Sequence, residues 1–168
     1  MPPRNQLPPR AVGGPPDLKH LFSELIRLET ELWDAVAVRL RADHDLPLQQ
    51  FEFMQVISRT PDCRVQDIAA EISITVGGTS KIVDRIEAAG HCVRNANPND
   101  RRSSILKLTP AGERLLAEAT ATFEDELRTR LGSALPDRAL VQLTRTLSRL
   151  RAAVRSADTT ENTSEKTA

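Results

Sequence analysis

The chain of 168 residues is poor in aromatic residues and cysteine, and it carries no formal net charge at pH 7. Aromatic residues make up 3% of the sequence and tyrosine is absent, which argues against binding of single-stranded nucleic acid by base stacking. Cys63 and Cys92 lie far apart and fit no metal-ligand spacing, so we expect free thiols, no metal site and no cofactor. The zero net charge argues against sequence-independent coating of nucleic acid and would require a localised basic surface for any DNA binding.

Long apolar runs and catalytic motifs are also missing. The sequence has no run of about eighteen apolar residues, which a membrane-spanning helix needs, and its N-terminus lacks the apolar core of a signal peptide. No His-Glu-x-x-His motif, glycine-rich phosphate loop or nucleophile elbow is present, and the three histidines are scattered. We therefore expect a cytoplasmic, nucleoid-associated protein without membrane contact, and not an enzyme.

Two short apolar stripes between residues 65 and 90 predict a helix-turn-helix. Each stripe has helical spacing, and the stripe residues are Val65, Ile68, Ala69 and Ile72, then Ile82, Val83, Ile86 and Ala89. Thr75 is expected to cap the second helix, and Gly90 suits its C-terminus. Small and polar residues on this helix suit the DNA major groove. The predicted DNA contacts there are Thr75, Gly77, Gly78, Thr79, Ser80, Lys81 and Arg85.

Three residues of the second helix, Gly77, Gly78 and Asp84, have a further interpretation. Adjacent glycines at Gly77 and Gly78 each cost about 1 kcal/mol relative to alanine in a helix, which favours close approach of the backbone to DNA. Asp84 could accept a hydrogen bond from a cytosine, but a local ion pair with Arg85 or Lys81 is the favoured prediction.

A β-hairpin is predicted directly after the second helix, which makes it a wing. Strands at about 92–96 and 103–108 flank a turn at 97–100 that contains Pro, Asn and Asp. Arg101 and Arg102 at the tip are predicted to enter the DNA minor groove, with a solvated tip as the alternative. Asp100 is expected to orient a wing arginine by an ion pair.

Heptad seams mark the two ends of the ordered chain. They run through Leu18, Leu21, Leu25, Leu28 and Leu32 in the first helix and through Leu140, Leu143, Leu147, Leu150 and Val154 in the last. One small subunit cannot bury both seams, which predicts a two-fold homodimer. The predicted fold is mainly α with a small β-wing, a winged helix-turn-helix lobe between long dimerisation helices. Its parts are a disordered proline-rich arm (1–16), a dimerisation helix (17–46), the winged lobe (47–109), further dimerisation helices (110–155) and a disordered tail (156–168).

Asp100-Arg101-Arg102 followed by Leu108-Thr109-Pro110-Ala111-Gly112, after KIVDRIEAAG, resembles the signature of the MarR family of bacterial transcriptional regulators. That signature joins an Asp-x-Arg wing tip to a Leu-Thr-x-x-Gly helix start. The resemblance implies that the terminal helices of two subunits interlock and carry two winged lobes. It also implies sequence-specific binding of double-stranded DNA at a palindromic operator, with repression of the protein's own gene and a neighbouring one.

The resemblance further implies a small aromatic or phenolic effector in a cleft between the dimer helices and the winged lobe. Residues that could line this cleft are Trp33, Val36, Phe51, Phe53 and Phe123, with Arg27, His20 or His44 as partners for an anion. Each of these residue types is more often an ordinary core or surface residue than a ligand contact. A thiol-based redox regulator is the alternative; Cys63, next to Arg64, is then the candidate thiolate, and Cys92 reads as a buried small hydrophobe. An architectural DNA-binding protein and a winged helix used for protein interaction are less favoured.

Overall fold

The computed structural model describes residues 15–98, 100 and 102–164, with side chains up to residue 156. Within these residues the chain forms six helices and one two-stranded antiparallel sheet, which confirms the predicted fold class. No helix of this part of the chain is long and apolar enough to cross a membrane. In chain order the elements are α1 (Leu18–His44), α2 (Leu48–Arg59), α3 (Val65–Ile72), α4 (Val76–Ala88), β1 (Cys92–Ala96), β2 (Ser104–Leu108), α5 (Pro110–Gly132) and α6 (Asp137–Ser164).

Helix α2 lies at the centre of the fold. It contacts α1, α3, α4, α5 and β2, and its side chains Phe51, Phe53 and Met54 are fully buried. Phe51 stacks on Phe123 of α5 with the ring centroids 5.2 Å apart. Because α2 packs against α1 on one side and the helix-turn-helix on the other, a shift between α1 and α2 also moves the winged lobe.

The helix-turn-helix has the bounds that its apolar stripes predict. The buried residues are Ile68 and Ala69 in α3, and Thr79, Ile82, Val83 and Ile86 in α4. Ser73 ends α3 in the left-handed conformation with φ 60°. The backbone N–H of Ile74 then donates to the carbonyl of Ala69 at 3.1 Å. This turn brings the apolar faces of the two helices together.

The wing is an antiparallel hairpin with Cys92 opposite Leu108 and Ala96 opposite Ser104. Its second strand begins at Ser104, one residue later than predicted. The backbone N–H of Leu106 donates to the carbonyl of Cys63 at 2.7 Å, and the Leu106 side chain is buried. The base of the hairpin is thus fastened to the helical lobe by both backbone and side chain.

Thr109 caps α5 and joins it to the wing. Its hydroxyl accepts a hydrogen bond from the N–H of Gly112 at 3.0 Å and donates to the carbonyl of Gly90 at 2.7 Å. Gly112 passes so close to His91 that an added Cβ would lie 2.0 Å from the His91 carbonyl oxygen. The Leu-Thr-x-x-Gly pattern therefore encodes a helix cap and a close backbone crossing.

The seams of α1 and α6 remain exposed in the single chain. On α1, Leu18 is 66% exposed and Phe22 is 65% exposed; on α6, Leu150 is 48% exposed. Such side chains would normally be covered in a folded protein, because burying apolar surface is the main favourable term in folding and association. One chain therefore leaves apolar side chains on both helices without cover.

Two predicted boundaries need correction. Helix α6 continues to Ser164, so the prediction of a disordered tail is wrong over 156–164. No glycine or proline follows Pro136, and nothing in the sequence therefore breaks the backbone hydrogen-bond ladder. Helix α1 likewise ends at His44 and not at residue 46. Residues 1–14 of the predicted N-terminal arm and residues 165–168 of the predicted tail lie outside the described residues.

Candidate nucleic-acid interface and adjoining cavity

The first turn of α4 is held by its own cap. The Thr75 hydroxyl accepts a hydrogen bond from the N–H of Gly78 at 3.2 Å, which confirms the predicted cap. A Cβ added at Gly78 would lie 3.2 Å from that hydroxyl oxygen, whereas a Cβ added at Gly77 would meet nothing within 4 Å. Gly78 therefore serves the cap, while the exposed Gly77 has no packing reason within the described chain to lack a side chain.

Thr79 does not belong to the outer face of α4. Its side chain is fully buried, and its hydroxyl donates to the carbonyl of Thr75 at 3.0 Å. The prediction that Thr79 contacts DNA is therefore wrong. Its spacing of i, i+3, i+4 and i+7 to the buried residues of α4 was the signal that places it in the core. Ser80 is half-buried, and the exposed stripe consists of Gly77, Lys81, Asp84, Arg85 and Ala88.

Arg94 of β1 joins the wing to α4. Its guanidinium pairs with Asp84 at 2.6 Å and also with Glu87, and its backbone N–H donates to Glu87 Oε1 at 3.2 Å. The predicted pairing of Asp84 with Arg85 or Lys81 is thus wrong, because Asp84 faces the wing. The charge of Arg94 is balanced inside the lobe.

Among the described residues of α4 and the wing, four other basic side chains are exposed: Lys81, Arg85, Arg102 and Lys107. None of them has an ion-pair partner among the described residues. Their positive charge is therefore available to an external anion. They lie on α4 and on the wing, the two elements that the sequence assigns to the two DNA grooves.

The tip of the wing is ordered by Asp100. Its Oδ1 accepts a hydrogen bond from the backbone N–H of Arg102 at 3.0 Å, so Asp100 positions this arginine through the backbone. Asn97 Nδ2 donates to Ser103 Oγ at 2.9 Å and closes the turn. Arg101, the other arginine predicted to contact DNA, lies outside the described residues.

Known proteins share this lobe and its surrounding helices. Residues 46–104 match the sequence model of the MarR family. The crystal structure of Sco3205, a MarR family transcriptional regulator from Streptomyces coelicolor in complex with DNA, matches with a TM-score of 0.73 and 21% identity, covering 86% of this chain and 91% of that one. The chain thus resembles the MarR family in the sequence of its winged lobe and in its fold.

Other proteins that are similar to this chain are transcriptional regulators. The transcriptional repressor CouR, bound to a 23-mer DNA duplex, matches with a TM-score of 0.73 and 26% identity, covering 80% of this chain and 95% of CouR. The HTH-type transcriptional regulator BilQ of Clostridioides difficile is 27% identical over 71 residues, which are 42% of this chain and 48% of BilQ. The chain spans about half the length of the curated relatives that it matches.

A cavity of about 350 Å³ adjoins the winged lobe. Helices α1, α2, α5 and α6 line it, and its wall is mostly apolar. Residues of that wall include Leu25, Leu28, Trp33, Val36, Phe123 and Leu147. The ionisable residues in the wall are Glu29 of α1 and Glu52 of α2. The volume falls in the range of small-molecule sites.

The structure separates the predicted effector residues into two groups. Trp33, Val36 and Phe123 line the cavity. Phe51 and Phe53 are fully buried in the core, so the prediction that they contact an effector is wrong. The predicted partners for an anion also lie elsewhere. Exposed Arg27 is 3.7 Å from Glu24, and His44 Nε2 forms a hydrogen bond with Thr122 Oγ1 at 2.8 Å.

Sequence reasoning missed the two carboxylates of the cavity. Burial raises the pKa of the Glu52 carboxyl, and the neighbouring charge of Glu29 raises it further. Neither glutamate has an ion-pair partner among the described residues. Glu29 lies four residues from both Leu25 and Trp33, a helical spacing that could have placed it on the cavity wall. No signal in the sequence places Glu52 beside Glu29.

Both cysteines are buried free thiols, Cys63 fully and Cys92 with 1% of its surface exposed. Burial raises the pKa of each thiol to about 11, so both are protonated at neutral pH. The interpretation of Cys63 as a thiolate is therefore wrong. The adjacent Arg64 lowers its pKa less than burial raises it, and Arg64 is itself paired with Asp67 at 3.2 Å. Cys92 is the buried small residue that was predicted.

Proposed function

We propose that this chain is a sequence-specific transcriptional repressor that binds a palindromic DNA operator as a homodimer. The observation that carries the proposal is the exposed stripe of α4, on which Lys81 and Arg85 have no partner among the described residues. A helix with a bare, basic outer face fits the major groove, where arginine and lysine read guanine edges. Gly77, which has no packing role, lets the backbone of this recognition helix approach DNA closely.

The wing supplies the second contact. Arg102 lies at its ordered tip, where it suits the narrow, electronegative minor groove. Arg94 holds the wing against the recognition helix through Asp84 and Glu87. Each lobe therefore reads two adjacent grooves as one rigid unit, and its sequence preference comes mainly from Lys81 and Arg85.

The exposed seams of α1 and α6 support the dimer. Pairing them with the same helices of a second chain covers apolar side chains that one chain leaves in water. A two-fold axis between the chains then presents two recognition helices to two half-sites, which lie about 34 Å apart on DNA. Operator palindromy follows from this symmetry.

A small molecule in the cavity is the proposed signal for release. The cavity is lined by both α1 and α2, and α2 packs directly against the recognition helix. Consider a ligand that binds ten times more tightly when the two lobes are spaced wrongly for the operator. Its binding then opposes operator binding by a coupling free energy of about 1.4 kcal/mol. That is enough for partial loss of operator binding.

Two arginine substitutions test how the lobe reads DNA. Arg85→Ala should weaken operator binding by about 1–3 kcal/mol and relax the base preference at one position in each half-site. Arg102→Ala should weaken binding to all sequences and reduce the slope of log affinity against log salt by about one unit per subunit. Affinities are measured by fluorescence anisotropy on the operator found by footprinting DNA upstream of the protein's own gene.

The matched control is Arg128→Ala, which removes an exposed arginine of α5, an element outside both α4 and the wing, and should leave both affinity and salt slope unchanged. If Arg85→Ala and Arg102→Ala both bind like wild type, the proposed use of the winged lobe is wrong. Equal affinity of the wild type for operator and random DNA would favour the architectural alternative.

A pair of glycine substitutions separates folding from DNA contact. Gly77→Ala should raise the free energy of unfolding by up to about 1 kcal/mol, since its Cβ meets nothing within 4 Å. The same change should weaken operator binding, because the added methyl faces the groove. Gly78→Ala should show no such gain in stability, since its Cβ would press on the Thr75 cap. Urea unfolding and anisotropy measure the two effects, and unchanged DNA affinity in Gly77→Ala would contradict the close approach.

A thiol-based sensor of the same fold is disfavoured by the two cysteines. Both are buried, with their pKa raised to about 11, and only a thiolate reacts readily with oxidants. Control by a ligand is therefore the better-supported form of regulation.

A further inference from the structure

We propose that the cavity takes a cation: an apolar organic molecule that carries a protonated amine. This inference rests on the proposed function, because it names the chemical class of the releasing ligand. It also replaces the aromatic acid that the family resemblance led us to expect. The observation behind it is the juxtaposition of Glu29, Glu52 and Trp33 in one apolar wall.

The charges of the cavity wall are all of one sign. Glu29 and Glu52 contribute two carboxylates from different helices, and among the described residues no lysine, arginine or histidine lines the cavity. An anionic ligand would lose its hydration and meet two like charges, both of which are unfavourable. An ammonium group would instead supply the partner that both carboxylates lack among the described residues.

Trp33 adds a second means of recognising a cation. Its side chain is 39% exposed on the cavity wall, and an indole face attracts an ammonium group more strongly than any other aromatic side chain. Glu29 and Trp33 are one helical turn apart on α1, so they present a carboxylate and an aromatic ring side by side. The remaining apolar wall suits a hydrocarbon body.

The position of the two carboxylates links the ligand to the winged lobe. Glu29 belongs to α1, and Glu52 belongs to α2, the helix that packs on the recognition helix. An ammonium group between them replaces repulsion with attraction and draws α2 toward α1. Binding of the cation therefore changes the placement of the winged lobe relative to α1. In the proposed dimer, that placement sets the distance between the two recognition helices.

The proposal predicts a pH dependence with a definite sign. Burial and Glu29 raise the pKa of the Glu52 carboxyl above its usual range, whereas a bound cation favours the ionised form. Affinity for a cation should therefore rise as pH increases through the pKa of Glu52. The other helices around Glu52 present apolar side chains to the cavity, Phe123 and Leu127 from α5 and Leu147 from α6, and Glu29 is the charged group that faces it.

The test compares phenylbutylammonium with phenylbutyrate, which share one hydrocarbon skeleton and carry opposite charges. Trp33 is the one tryptophan of the sequence, so its fluorescence reports binding in the cavity of the full-length protein. Phenylbutylammonium should bind at least about tenfold more tightly than phenylbutyrate. Glu52→Gln should reduce that affinity about tenfold and abolish its rise with pH. Glu31→Gln, on α1 outside the cavity, should change neither.

If the proposal is right, Glu52→Gln weakens binding of the cationic probe without unfolding the protein. The raised pKa of Glu52 means that the folded protein disfavours the ionised carboxylate, so this charge lowers stability at neutral pH. Glu52→Gln removes the charge, and the thermal midpoint of the variant should therefore equal or exceed that of wild type. A lower midpoint, tighter binding of phenylbutyrate, unchanged cation affinity in Glu52→Gln or binding of neither probe would each overturn the proposal. Operator binding is measured separately without probe, so a failed ligand test leaves the DNA-binding proposal standing and a failed DNA test leaves the ligand class standing.

Discussion

Gly112→Ala is expected to lower the free energy of unfolding by about 3 kcal/mol, at the upper end of the usual cost of overpacking. The added Cβ would lie 2.0 Å from the carbonyl oxygen of His91 and 2.9 Å from its carbonyl carbon. Both atoms belong to the backbone, so no side-chain rotation relieves the clash. The same His91 carbonyl accepts a hydrogen bond from the N–H of Thr109 at 3.0 Å, and moving it would open the junction between wing and α5.

Gly132→Ala is the matched control, because it makes the same change near the other end of α5. Its Cβ would meet the flexible side chain of Arg128 at 3.7 Å, an ordinary contact. Stability should stay equal or rise by up to about 1 kcal/mol. Urea unfolding is measured at one fixed protein concentration, since stability of an oligomer depends on concentration. Unfolding of Gly112→Ala at the same urea concentration as wild type would show that the close crossing is not required.

Leu150→Arg is expected to convert a dimer to monomers and to weaken operator binding by about 10²–10⁴-fold. Leu150 is 48% exposed in the single chain, so the substitution should spare the fold of one subunit. Within a two-fold interface it would bury a charge without a partner, which is strongly unfavourable. A monomer holds only one half-site and loses the gain from linking two binding events. Sedimentation velocity and anisotropy on the same samples measure both effects.

Ala152→Arg provides the control for this second prediction. Ala152 is exposed and lies on the opposite side of α6 from the seam, because two residues along a helix correspond to a rotation of about 200°. The variant should remain dimeric and bind the operator like wild type. A wild-type protein that sediments as a monomer at micromolar concentration would contradict the proposed dimer, whatever the variants do.

Helix α2 connects the proposed ligand site with the proposed DNA-binding elements. This helix carries Glu52 on the side of the cavity and buries Phe53 and Met54 in the core that supports the recognition helix. Closely packed protein interiors transmit displacements instead of absorbing them. A small change between α1 and α2 is therefore enough to re-aim the wing and recognition helix together, since Arg94 fastens one to the other.

Local physics explains what the sequence determined by itself. The bounds of α3 (Val65–Ile72), the Thr75 cap and the start of α5 at Pro110 follow from apolar spacing, capping chemistry and proline geometry within a few residues. The hairpin followed in the same way from its turn residues. The Asp-x-Arg and Leu-Thr-x-x-Gly motifs, taken together, were specific enough to indicate the family.

Only the tertiary structure decided which side chains face each other. Arg94 pairs with Asp84 ten residues away, and Glu52 faces Glu29 across two helices; in both cases helix packing, and not sequence distance, sets the contact. The burial of Phe51 and Phe53 and the burial of Cys63 likewise depend on which elements cover them. Periodicity predicts the apolar face of one helix, but not the surface against which that face packs. The sequence therefore determined the fold with its helix-turn-helix and wing, while long-range packing decided the charge of the cavity and the partners of its side chains.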